Sequence, residues 1–118
     1  MSVQAYQRTV EANASPRQNE ERALRLANQK LLEAVRTGSR GAQLVEALHF
    51  NRELWRIFAD DCSTAGNGLT NETRAGIISL SLFVSSFSSE IAAGRESVDA
   101  LIDINNSVMI GLATSKRS

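Results

Sequence analysis

His49 and Cys62 are the only histidine and the only cysteine of the chain. They are the one combination whose types could make a nucleophile and its base. Such a pair needs a lowered thiol pKa and oxyanion donors nearby. No glycine-rich oxyanion element or strand-turn nucleophile context accompanies either residue. Asp60 and Asp61 could begin a hard-cation site, but no further ligands follow at metal spacing. A solvated acidic helix end is the plainer reading. These residues predict a protein that is not an enzyme and that uses no metal and no cofactor.

Two asparagines carry more information. At about 100° per residue, Leu44, Leu48, Asn51, Trp55 and Phe58 fall on one stripe of a helix. Asn105 sits among Leu101, Ile102, Val108 and Met109 on another. A buried amide without a partner is costly, so each must be hydrogen-bonded. One reading is structural, an inter-helix bond that fixes register. The other is that one of the two bonds the backbone of a bound peptide.

The segment around Asn51 must be the centre of the fold. It holds the only Trp. Ala47, Phe50, Leu54 and Ile57 form a second apolar stripe beside the first, leaving a narrow polar arc of Glu46, His49, Arg52, Glu53 and Arg56. A helix apolar over more than half its circumference is built to be surrounded. Trp55 should therefore be buried together with Leu48, Phe58, Leu80 and Leu101.

The rest of the chain supplies the surrounding helices. Pro16 is the only proline, so nearly all of the chain can be helical. Ser15-Pro16-Arg17-Gln18 reads as a helix start with a capping box. The first helix runs to about Arg36, with Leu24, Ala27, Leu31, Ala34 and Val35 inward; Gly38 and Gly41 stop it. Ser63 to Gly68 is a loop, and Thr70 caps the next helix. Ile78 to Leu82 alternates like a strand, but Ile77, Leu80, Val84, Phe87 and Ile91 recur at helical spacing. A lone strand has nothing to pair with, so helix is chosen. The expected fold is all-α, a small bundle of four main helices near 16–36, 42–60, 70–93 and 97–112. Residues 1–14 form an N-terminal arm or short helix, 15–113 the bundle and 114–118 a frayed tail.

Composition narrows the classes. Thirteen basic residues balance thirteen acidic ones, so a whole-domain nucleic-acid footprint is missing and direct nucleic-acid binding is not expected. One cysteine excludes an internal disulfide framework and fits a reducing compartment. No charged leader precedes a long apolar run. The most apolar segment, Ile77 to Val84, falls short of the ~20 residues of a membrane span. A soluble, cytoplasmic protein without membrane contact is expected.

Two surfaces invite partners. In the third helix Ala75, Ile78 and Leu82 lie opposite the main stripe, bordered by Ser79, Ser85, Ser86 and Ser89. Either another part of the domain covers them, or they form a groove for a partner helix. In the latter case the arm, with Tyr6, closes over the occupant. The first 40 residues are net basic, and Arg22, Arg25, Gln29 and Arg36 share a helix face. That face could touch RNA phosphates or an acidic partner, but glutamates intrude and no aromatic platform accompanies it.

The run Asn51-Arg52-Glu53-Leu54-Trp55-Arg56-Ile57-Phe58 resembles the flagellar biosynthesis regulator FlaF family. Three further segments agree in the same order: Ala5-Tyr6 with Ser15-Pro16-Arg17, Arg74 to Val84, and Asp99 to Asn105. Gly66-Asn67-Gly68-Leu69-Thr70 departs from the proline-containing entry expected before the third helix. The resemblance implies a protein needed for flagellin production and export, in the manner of an export chaperone, with flagellin as client and FlbT as a second partner. The rival implication is post-transcriptional control of flagellin synthesis, with FlbT or on the flagellin message. A third is a structural adaptor in flagellar assembly.

Overall fold

Each helix begins and ends where local chemistry dictates. The computed structural model describes residues 16–38, 41–62 and 70–115. Helix α1 is Pro16–Arg36, α2 is Ala42–Cys62, α3 is Asn71–Ala92 and α4 is Asp99–Ser115. Among the described residues there is no strand, so the all-α expectation holds. The alternating Ile78 to Leu82 segment is helical. The arm with Tyr6, the Ser15 cap and the tail from Lys116 lie outside the described residues.

Gly38 ends α1 in a left-handed conformation (φ 69°), its N–H bonded to the Val35 carbonyl. Gly41 does not share that role. Its carbonyl accepts the Val45 N–H at 3.1 Å, so it opens α2 rather than closing α1. Thr70 caps α3, its hydroxyl accepting the Thr73 N–H at 3.1 Å. Gly94 (φ 81°) turns the chain after α3, and Ser97 Oγ accepts the Asp99 N–H at the start of α4. Helices α2 and α4 run two or three residues past their expected ends, because no Gly or Pro stops them there.

Helix α2 lies between α1 and α3, and α4 packs along α1. Leu44, Ala47, Leu48, Phe50, Leu54, Trp55 and Phe58 of α2 are all buried, so both of its stripes face other helices. Helix α1 adds Leu24, Ala27, Leu31 and Ala34. Val35, expected on that stripe, is 55% exposed in the last turn, where the stripe runs past its cover. Leu101 is fully buried, but Leu80 is only half-buried. It is a correction to the expected core, and its reason is the position of α3. That helix packs on α2 alone among the principal helix contacts, so only Val84, Ser88 and Ile91 are enclosed.

Candidate functional site

Helix geometry separates the one candidate catalytic pair. His49 is exposed near the middle of α2, and Cys62 is buried at its end. Thirteen residues at 1.5 Å each hold them about 20 Å apart along the axis. Asp60 is bonded to Arg56 Nη1 at 3.0 Å, an ordinary i,i+4 surface pair.

The asparagines meet in the core. Asn51 and Asn105 are both fully buried. The Trp55 indole N–H donates to Asn105 Oδ1 at 2.8 Å. Asn105 Nδ2 donates to Asn51 Oδ1 at 2.8 Å and to Asn28 Oδ1 at 2.9 Å. Asn28 Nδ2 then donates to Asn106 Oδ1 at 3.0 Å. One amide thus ties α1, α2 and α4 together. Only Asn51 Nδ2 of this group is buried with no partner. These asparagines face the inside of the fold and bond each other, which is the register-fixing arrangement. Asn28 was missed in the sequence, although it adjoins the Leu24–Leu31 stripe. Its signal is the same as that of Asn51, a polar residue on an apolar arc.

Polar contacts hold α3 to α2. Arg52 Nη2 donates to the Ser85 carbonyl at 3.0 Å and to Ser89 Oγ at 3.1 Å. Ser81 Oγ donates to the Trp55 carbonyl at 3.2 Å. Arg74 Nε donates to the Cys62 carbonyl at 2.6 Å. The serines of α3 therefore serve two ends. Their small size lets α2 approach, and their hydroxyls and carbonyls bind its side chains and backbone.

The opposite face of α3 is open. Leu82 is 70% exposed and Phe83 45%, while Ala75 is exposed and Ile78 half-buried. Phe83 stacks on Phe87, with centroids 5.1 Å apart. No charge interrupts residues 75–89. No described helix covers Leu82, so the expected groove-or-cover choice narrows to a face open among the described residues. The site residues fall into two groups. Asn51, Trp55 and Asn105 meet in the core, whereas Ala75, Ile78 and Leu82 lie on the far side of α3. Tyr6 is outside the described residues.

The length of this apolar helix also corrects an expectation. By length and composition Asn71–Ala92 reaches what a membrane span requires, with a mean hydropathy of 1.4 over its best window. The short Ile77 to Val84 run understated it, because serines and glycine count as near-neutral in such a window. Glu72, Glu90 and Arg74 bound the stretch.

A second surface, mixing charged side chains with the exposed Leu32, lies between α1 and α2. An open cleft of about 680 Å³ is lined by Gln29, Leu32, Glu33, Arg36, Gln43 and Glu46, among others. Its charges are largely paired. The Arg36 guanidinium hydrogen-bonds Glu33, holding that carboxyl below its usual range, and Glu33 in turn raises Arg36. Lys30 lies 3.6 Å from Glu46 and 5.1 Å from the Phe50 ring centroid. Among the described residues Arg22 and Arg25 form no ion pair and remain exposed.

These features define a small helical protein with a polar-pinned core and, among the described residues, an open apolar face on α3. The family model of the flagellar protein FlaF matches residues 2–112, nearly the whole chain. The chain belongs to that family and is a flagellar protein. No curated protein and no solved structure matches it.

Proposed function

We propose that this protein binds flagellin in the cytoplasm as an export chaperone and so promotes flagellin production and secretion. The single observation that carries the reading is the uncharged outer face of α3, with Leu82 70% exposed at its centre. An amphipathic client helix lodges there, its apolar side against Ile78 and Leu82, and the N-terminal arm with Tyr6 closes over it. Helix-in-groove binding of this kind uses apolar anchors at helical spacing. A client that orders on binding spends part of the interaction energy on ordering, so its affinity stays low for the area buried. A chaperone that must release its client at the export gate needs that property. Membership of the FlaF family supports a flagellar role; flagellin as the client is what the sequence resemblance implies, and the docking geometry is inferred from the open face of α3.

The test is binding of purified flagellin, free of nucleic acid, followed by titration calorimetry. The chaperone reading expects saturable binding, and truncations of flagellin then locate the segment. Binding that requires RNA or FlbT supports the second reading instead. That reading is post-transcriptional control of flagellin synthesis, in which α1 contacts FlbT or the flagellin message. The exposed Arg22 and Arg25, which form no ion pair among the described residues, favour it, while the balanced charge of the chain weighs against direct RNA contact.

A further inference from the structure

The outer face of α3 has a property that a one-sided client site does not need: it is complementary to itself. Its centre line runs through Ala75, Ile78, Leu82, Ser86 and Ser89, at steps of three and four residues. Leu82 lies at the midpoint of the 22-residue helix Asn71–Ala92. Apolar residues, Ala75 and Ile78, occupy the N-terminal half of the line and serines the C-terminal half. No charged residue of α3 itself falls between Arg74 and Glu90; the one charge that reaches the line is the Arg52 guanidinium of α2, bonded at Ser89.

We propose that two copies of the chain pair antiparallel through this face, about a two-fold axis at Leu82, and that this pairing covers the client site until a client displaces it. The pairing stands on α3 itself; its regulatory meaning rests on the client reading above. In an antiparallel pair centred on residue 82, positions equidistant from it oppose each other. Ile78 of one copy then packs over Ser86 of the second, and Ala75 over Ser89. Leu82 meets its own counterpart. Away from the axis each pair includes a serine, so no two large side chains collide except at Leu82 itself. Phe83, one position from the axis, borders the contact on the same side of both copies.

The size of the face sets the strength. A helix of 22 residues is about 33 Å long. One stripe of it buries on the order of 500 Å² on each copy, against the roughly 800 Å² of a standard interface. The dimer is therefore weak and concentration-dependent, which suits a cover that a client must displace. A membrane surface is the competing occupant. Interfacial helices carry Lys and Arg along their polar edges. Here the edges carry Glu72 and Glu90, and Arg74 is bonded to the Cys62 carbonyl.

Sedimentation equilibrium of the full chain, from about 1 to about 500 μM, tests the pairing. The expected result is an average mass that rises with concentration from the monomer's 12.8 kDa towards twice that value. Leu82→Arg should weaken association at least tenfold. It should also leave the helical circular dichroism and melting temperature unchanged, since Leu82 is largely exposed. Mixing Leu82→Arg with Leu82→Glu chains should restore the dimer, because residue 82 faces itself across the axis. A chain that stays monomeric over the whole range overturns the proposal. So does a folded Leu82→Arg chain that pairs as well as the parent, or a monomeric chain that instead floats with anionic phosphatidylglycerol vesicles. A monomer that still binds flagellin would overturn the pairing alone. A chain that pairs but ignores flagellin would overturn the client reading and leave the pairing standing.

Discussion

Trp55 and Asn105 are joined across the core by an indole N–H to amide oxygen bond of 2.8 Å. They lie fifty residues apart in sequence, on α2 and α4. The bond explains how the bundle holds its largest side chain without leaving its N–H unpaired, a requirement for any enclosed Trp. It also makes Asn105 a three-way junction, since its own amide group donates to Asn51 and to Asn28.

Asn105→Ala should therefore be among the most damaging single changes. It strands the Trp55 N–H and the amide oxygens of Asn51 and Asn28. At about 1–3 kcal/mol for each buried group left unpaired, the expected loss is about 3 kcal/mol or more. Asn51→Ala should cost clearly less, because Asn51 Nδ2 has no partner to lose. Urea denaturation of both variants checks the order. Equal losses would show that the amide network does not act as described.

Trp55 separates packing from hydrogen bonding. Trp55→Ala should cost about 3–5 kcal/mol through cavity formation, a large share of a small domain's stability. Trp55→Phe keeps most of the ring but leaves Asn105 Oδ1 unpaired, and should cost about 1–3 kcal/mol. A double-mutant cycle of Trp55→Phe with Asn105→Ala should give a coupling energy of at least about 0.5 kcal/mol. Strict additivity would mean that the two side chains do not interact.

The central helix was legible from residue types alone, because both apolar stripes of α2 are enclosed and its narrow polar arc is the part left outside. Asn51 and Asn105 were recognisable as buried for the same reason, as amides set in apolar stripes. That they bond to one another was not legible, since periodicity gives the face of a helix and not its neighbour. Leu80 shows the same limit. Its spacing is that of a core residue, but α3 packs against one helix only and leaves it half-buried. Gly41 was misread because a glycine near a helix junction serves a stop or a start equally well, and only the Val45 N–H bond to its carbonyl decides.

Helix α3 should open before the rest of the fold. It packs on α2 alone among the principal helix contacts, as α4 does on α1; but α4 is locked by the fully buried Leu101 and by the Asn105 amide, whereas α3 adds to its buried Val84 and Ile91 mainly the polar contacts of Arg52, Arg74 and Ser81. Local stability follows such contact. Native-state hydrogen exchange should find the α3 amides less protected than those around Leu31 and Leu54. Arg52→Met should lower α3 protection further while leaving α1 nearly unchanged. Exchange of all four helices at one global rate would contradict this.

Gly38 tests the turn after α1. Its φ of 69° is left-handed, and a Cβ built there would meet nothing within 4 Å. The cost of Gly38→Ala is thus backbone strain alone, about 1 kcal/mol. Gly41→Ala, with an ordinary φ and equal space, should cost less. Thermal melting of the two variants shows the difference, and a harmless Gly38→Ala would argue against the left-handed turn.

The flagellin affinity of the Ile78→Ser, Leu82→Ser double variant tests the client site most directly. Leu82 is exposed and Ile78 only half-buried, so the variant should stay folded by circular dichroism. Its affinity for flagellin should fall by roughly 1–3 kcal/mol for each anchor that loses its burial, read by calorimetry against the parent chain. An unchanged affinity in a folded double variant would contradict the site on α3 and move the search to the basic face of α1.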